Sequence, residues 1–259
     1  MNLEPAIAPR EYWCFISYRH TDNKAPGRQW ASWLHHSLET YEVPADLVGK
    51  ANDRGDIIPE RIFPVFRDEE ELPADADLSA PIEQAIAHSK FMVVLCSPHA
   101  VVSRFVAEEI VRFKSLRPEN KDRILAAIIA GDPVGEEVTD IEERSELPYA
   151  RRQCFPRLLR FDVAADGTLT DTPTEPIAPD FRLLGDKAGE EGYTSPAPFR
   201  EATSASNASV AEFEKRMELV KLKIIAGILG IRVGELHDLA RFALSGHSMS
   251  SSCCRSAVA

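Results

Sequence analysis

The 259-residue chain is short of the motifs that mark most nucleotide and hydrolase sites. It contains no G-x-x-x-x-G-K-[ST], no G-x-G-x-x-G, no G-x-S-x-G and no H-E-x-x-H. Phosphate-loop, dinucleotide-redox, nucleophile-elbow and zincin chemistries therefore lack the residues that would perform them. Cysteine is scarce: Cys14, Cys96, Cys154, Cys253 and Cys254 are an odd number with no C-x-x-C spacing, which favours a reducing interior and no zinc site. Adjacent His35 and His36 cannot share a helix face, so no metal is expected. Positive charge is also short, with 30 Lys and Arg against 41 Asp and Glu and a net charge of -11. A general nucleic-acid or anionic-membrane surface needs the opposite field. Long apolar runs are missing too; 124 to 130 and 224 to 231 fall far below the roughly 20 residues that cross a bilayer. The opening M-N-L-E-P-A-I-A-P-R has neither a basic start nor an apolar run, so the expectation is a cytoplasmic protein without a secretory signal.

What is present is a core-forming composition, 44% hydrophobic with 8% aromatic, arranged as short β-rich runs alternating with helical patterns. That is the form of a βαβ architecture with a parallel sheet. The strand candidates are 12 to 17, 62 to 66, 91 to 96 and 124 to 129, each uniformly apolar, as strands covered on both faces must be. Between the first two, Trp30, Leu34, Leu38 and Tyr41 form one face of a helix. Asp77 or Ser79 is the expected cap of the next, which carries Ile82, Ala85 and Ile86 on one side. Pro64 cannot donate to a ladder, so the second strand belongs at an edge, as in the flavodoxin-like order 2-1-3-4-5. Residues 154 to 161 are expected to add a fifth strand or a short helix. Residues 162 to 206, with five prolines and almost no periodicity, read as a long loop or linker. Helical periodicity returns over 207 to 245, with a break at Gly230, and 246 to 259 read as a disordered tail.

In a sheet of this order ligands bind beyond the carboxyl ends of strands one and three, here Ser17 to His20 and Ser97 to His99. The helix that follows strand three holds two adjacent carboxylates in S-R-F-V-A-E-E-I-V-R-F, residues 103 to 113. At about 100° per residue from Val102, the residues Phe105, Val106, Ile110, Phe113 and Leu116 form an apolar stripe. Glu109 lies about 20° from the centre of that stripe and Glu108 about 120° from it. A carboxylate on a packed face is costly unless it is paired or borders a cavity. Glu109 is therefore either a catalytic candidate or a carboxylate paired with Arg104 or Arg112, whereas Glu108 is solvated. Phe105, one turn before Glu109, is its neighbour on that side.

Three segments, F-I-S-Y-R-H-T-D (15 to 22), V-F-R-D-E-E-E-L-P-A-D-A-D-L (65 to 78) and V-V-L-C-S-P-H-A-V-V-S-R-F-V-A-E-E-I (93 to 110), resemble the signature segments of Toll/interleukin-1 receptor (TIR) domains of the bacterial type. They stand in the family's order, and the resemblance covers residues 11 to 161. It implies a flavodoxin-like fold of about five parallel strands and TIR-TIR self-association. In many members it also implies cleavage of NAD+ to nicotinamide and ADP-ribose or a cyclic variant, with NAD+ as substrate and no resident cofactor. Family NADases carry an aromatic, three residues, then the essential Glu followed by Ile or Leu; Phe105, Glu109 and Ile110 match, with Phe where Trp is usual. The resemblance makes Glu109 catalytic, and Arg19, His20, Asp68, Leu72 and Phe105 candidates for substrate binding. The loop holding Asp68 and Leu72 is the family's self-association and gating loop. The competing expectation is a non-catalytic module that recruits other TIR proteins in signal transduction, since fold does not fix function.

Overall fold

The computed structural model describes residues 11–68, 79–117, 121–138, 147–164, 168–174 and 176–239. Four parallel strands, β1 (Tyr12–Ser17), β2 (Val65–Phe66), β3 (Ser89–Cys96) and β4 (Ile124–Ile128), form one sheet in the order β2-β1-β3-β4. β1 and β3 run side by side from Tyr12↔Ser89 to Ser17↔Val94, and β4 pairs with β3 from Met92↔Ile124 to Cys96↔Ile128. Because successive side chains point to opposite faces, the uniformly apolar strands feed two cores. On one face Cys14, Ile16, Phe91, Val93 and Leu95 pack with Trp30, Leu34 and Leu38 of α1 (Trp30–Glu39) and with the C-terminal half of α7 (Asn207–Leu229). On the other, Phe15, Met92, Val94 and Cys96 meet α2 (Ser79–Ala87), the single turn α3 (Pro98–Val101) and α4 (Arg104–Leu116).

The second strand is shorter than expected, two residues starting just after Pro64, and it does lie at the edge. Side chains of α1 help satisfy it: Glu39 Oε1 accepts from Val65 N at 2.8 Å and His35 Nε2 lies 3.2 Å from the Val65 carbonyl. α1 itself is capped from a distance, since Asn23 Oδ1 accepts from the backbone N–H groups of Ala31 and Ser32, two of the donors a helix start leaves open.

Of the two alternatives for 154 to 161, a fifth strand or a short helix, the structure has the helix, and the parallel sheet holds four strands among the described residues. Pro156 precedes a single turn, α5 (Arg157–Arg160), as suits a residue with fixed φ and no donor. The next residues, β5 (Phe161–Val163), pair antiparallel with β6 (Leu169–Pro173) in a separate ribbon. The outer edge of β4 is met by residues read as linker: Ile128 N donates to the Pro179 carbonyl at 2.9 Å and Phe181 N to the Ile128 carbonyl at 2.8 Å. Residues 162 to 206 also include α6 (Pro196–Thr203) and bury Phe181, Leu183 and Tyr193. Burial comes from single apolar residues spaced along irregular chain, a pattern without helical or strand period.

α7 ends at Gly230 in the left-handed conformation (φ 64°), and residues 233–239 are again helical. Its last carbonyls are bonded from the 50s loop: Arg54 Nη2 donates to Gly227 and Ile228 at 2.9 and 2.8 Å, and Asn52 Nδ2 to Leu229 at 2.9 Å. A guanidinium is favoured at the negative end of a helix. Arg54→Ala should lower unfolding free energy by about 2 kcal/mol, with Asn52→Ala costing less; denaturant midpoints measure both.

Candidate functional site

α4 is positioned by its N-cap and its packed face. Ser103 caps it, its hydroxyl accepting from Val106 N, and Val106, Ile110 and Phe113 are buried against the sheet. The buried stripe is narrower than the helical wheel indicates: Phe105 is 66% and Leu116 41% exposed. Glu109 thus stands at the border of the packed face, with the exposed Phe105 ring one turn before it.

Glu109 is partly buried and takes a 2.6 Å hydrogen bond on Oε2 from the hydroxyl of Ser17, the fully buried last residue of β1. Glu108 is exposed and paired with Arg104 at 2.6 Å. Arg112 lies 3.9 Å from Glu83. The two cations that offered Glu109 an ordinary ion pair are therefore engaged elsewhere, and none pairs with it among the described residues. Burial pushes the Glu109 carboxyl up to about 8; the Ser17 hydrogen bond opposes that shift, the charge of Asp68 adds to it and His20 opposes it.

Asp68 and His20 are brought together beside Glu109. Asp68 accepts from the Tyr18 hydroxyl at 2.7 Å on Oδ1, and its Oδ2 lies 2.6 Å from His20 Nε2. Arg19 is exposed, and its charge acts on Asp22 and His99. Leu72 lies outside the described residues, as do Glu69 to Glu71.

The sequence reading did not single out Ser17, Tyr18, Asp22 or Ser97 as functional. Asp22 is buried and accepts from the Ser97 hydroxyl at 2.5 Å; burial pushes its carboxyl up to about 7, against the pull of that hydrogen bond. Glu191, from the segment read as linker, accepts from the Trp30 indole at 3.0 Å and faces Arg28 at 3.6 Å, and burial raises its carboxyl too. Position after an apolar strand was the one signal available for Ser17 and Ser97; Glu191 had none.

Cys14, Cys96 and Cys154 are buried free thiols pushed upward by burial, which leaves them poor nucleophiles. Among the described residues no group of three His, Cys, Asp or Glu could hold a metal ion, and no helix is long and apolar enough to cross a membrane. A cavity of about 250 Å³ lies between α1 and α7, lined by Trp33, Phe213 and Met217. It belongs to the opposite face of the sheet from α4 and contains none of the residues around Glu109.

A carboxyl held above its ordinary value of 4.5 keeps, in the folded chain, a proton that the unfolded chain releases between 4.5 and about 8. Its contribution to stability therefore declines as pH rises through that window. Glu109→Gln should raise the thermal midpoint at pH 8 to 9, with the gain vanishing near pH 4. Glu108→Gln should change it little at any pH, because an exposed pair contributes little.

The TIR domain model matches residues 14–154. Among solved structures, the TIR domains of the activated Roq1 resistosome, which directly recognizes the pathogen effector XopQ, are similar at 21% identity and a TM-score of 0.33. That likeness covers 48% of this chain and 60% of the length of that one. None of the curated proteins matches. With more than half of its residues matched by the family model, the chain belongs to the TIR domain family.

Proposed function

We propose that the protein is an NAD+ glycohydrolase in which Glu109 is the catalytic residue, releasing nicotinamide and ADP-ribose or a cyclic variant. The observation that carries this reading is Glu109 itself: a carboxyl at the border of a packed face, bonded to a buried strand-end serine, with no cation paired to it among the described residues. Such an arrangement costs stability, and a site that needs a desolvated anion accounts for it.

The chemistry asks for one carboxylate. Nicotinamide leaves as a neutral molecule when the bond between its ring nitrogen and the ribose anomeric carbon breaks, the bonding pair going to nitrogen. The ribose becomes oxocarbenium-like, and water or an internal nucleophile then adds to it. An anion beside that developing charge, or bonded to the ribose hydroxyls, lowers the barrier as carboxylates do in glycoside hydrolysis. Exposed Phe105 is suited to stack on a base or the nicotinamide ring. Arg19 is suited to a diphosphate, being exposed and without a side-chain partner among the described residues. His20 and Asp68 border the site as a bonded pair, and Leu72, outside the described residues, is proposed for substrate binding on the family resemblance alone. Activation by self-association through TIR-TIR contacts and a role in defence signalling are the setting we propose for such an activity.

Nicotinamide release from NAD+, followed over a range of protein concentrations, tests this. Turnover per molecule should rise with concentration, Glu109→Gln should lose about 100-fold or more, and Glu108→Gln should retain activity. The ionised carboxylate being the active form, kcat/KM should climb with pH and level off above about 8. A folded protein without turnover at any concentration would leave the non-catalytic interaction module as the function.

A further inference from the structure

We propose that Ser17 is a positioning residue for Glu109, its buried hydroxyl turning one carboxylate oxygen inward while Asp68 beside it works in the opposite sense on the same carboxylate. The inference rests on the reading of Glu109 as the catalytic group. Ser17 is 0% exposed, closes β1, and donates to Glu109 Oε2 at 2.6 Å. A hydroxyl sealed from water has no solvent partner to exchange with, so this bond is kept unless the helix moves. The helix is fixed by Val106, Ile110 and Phe113, each at most 1% exposed. Oε2 is thereby engaged, and among the described residues Oε1 has no donor from the protein.

The groups acting on Glu109 come from four places: Ser17 at the end of β1, His20 in the turn after it, Asp68 after β2, and Glu108 on the same helix. Glu108 is neutralised by Arg104 at the exposed surface. Asp68 is held by Tyr18 and His20, so its charge is fixed in place near Glu109. A donor to the anionic form favours that form, and a neighbouring like charge disfavours it. Ser17 and Asp68 are thus opposed settings of one titration, which a purely structural role for either would not produce.

The test is the pH profile of kcat/KM for wild type, Ser17→Ala and Asp68→Asn, together with the titration of the Glu109 carboxyl carbon followed by NMR in each protein. Ser17→Ala should move the acid limb up by about one pH unit, making the variant about tenfold slower at pH 7 while the curves converge well above the limb. Asp68→Asn should move the limb down. A Ser17→Ala protein whose limb and Glu109 titration stay at the wild-type position, or whose loss is the same at every pH, overturns the proposal. If wild type cleaves no NAD+, the function proposed above fails, and the NMR titration alone still decides whether Ser17 governs Glu109. Asp68→Asn keeps the test open should Ser17→Ala fail to fold.

Discussion

Burial of β1 and β3 on both faces is the constraint from which the rest of the structure follows. The runs Cys14 to Ile16 of β1 and Phe91 to Cys96 of β3 are buried among apolar neighbours above, below and beside them, so the polar chemistry is gathered beyond the carboxyl ends of those runs. A fully buried serine closes β1 (Ser17) and another directly follows β3 (Ser97), and each donates to a carboxyl that burial has raised: Glu109 from α4 and Asp22 from the turn after β1. The two pairs solve the same problem, since a hydroxyl can satisfy a carboxyl in either protonation state without bringing a charge into the sheet's edge. A lysine or arginine in either serine position would have made an ion pair and removed the perturbation.

The two pairs are not equivalent in their surroundings. Around Asp22 the neighbours are Ser97, Glu191, Arg19 and Tyr149, and Asp22 itself is 6% exposed. Around Glu109 the neighbours are the Tyr18–Asp68–His20 cluster, and one turn away the 66% exposed ring of Phe105. A closed carboxyl bonded to a buried hydroxyl suits a structural part, one that joins the β1 turn to the start of α3 through the Ser97 cap. A carboxyl beside an exposed aromatic suits contact with a ligand, because the ring supplies apolar area that the folded chain leaves uncovered. Consecutive residues Arg19 and His20 divide between these sites, one acting on Asp22 and the other bonded to Asp68.

The parts of this arrangement that repeat with a period were legible in the sequence. The four strands show as short apolar runs, the face of α1 and the separation of Glu108 from Glu109 follow from a period of 3.6, and the structure has them. The wheel placed Phe105 and Leu116 in the buried stripe because it knows only angle. Burial also depends on what lies opposite, and the sheet covers the side of α4 that carries Val106, Ile110 and Phe113. That error is informative, since the uncovered part of an apolar stripe is where Glu109 meets open surface.

The parts that were not legible depend on chain far away in sequence. Ser17 touches Glu109 across 92 residues and Ser97 touches Asp22 across 75; no local pattern encodes either meeting. Residues 154 to 161, read as a fifth strand or a short helix, supply the short helix α5, and the edge of β4 receives Pro179 to Phe181. The reason is physical: an edge strand needs only a few backbone partners and one apolar side chain to cover it, and Phe181, packed 5.3 Å from the rings of both Trp30 and Trp33, supplies that cover. Once Phe181 is held there, the chain that follows passes over α1 and delivers Glu191 to the Trp30 indole. A segment without periodicity thus becomes ordered through the two ring contacts of Phe181, its backbone bonds to Ile128 and the bond from Trp30 to Glu191, none of which a composition of prolines and polar residues could announce.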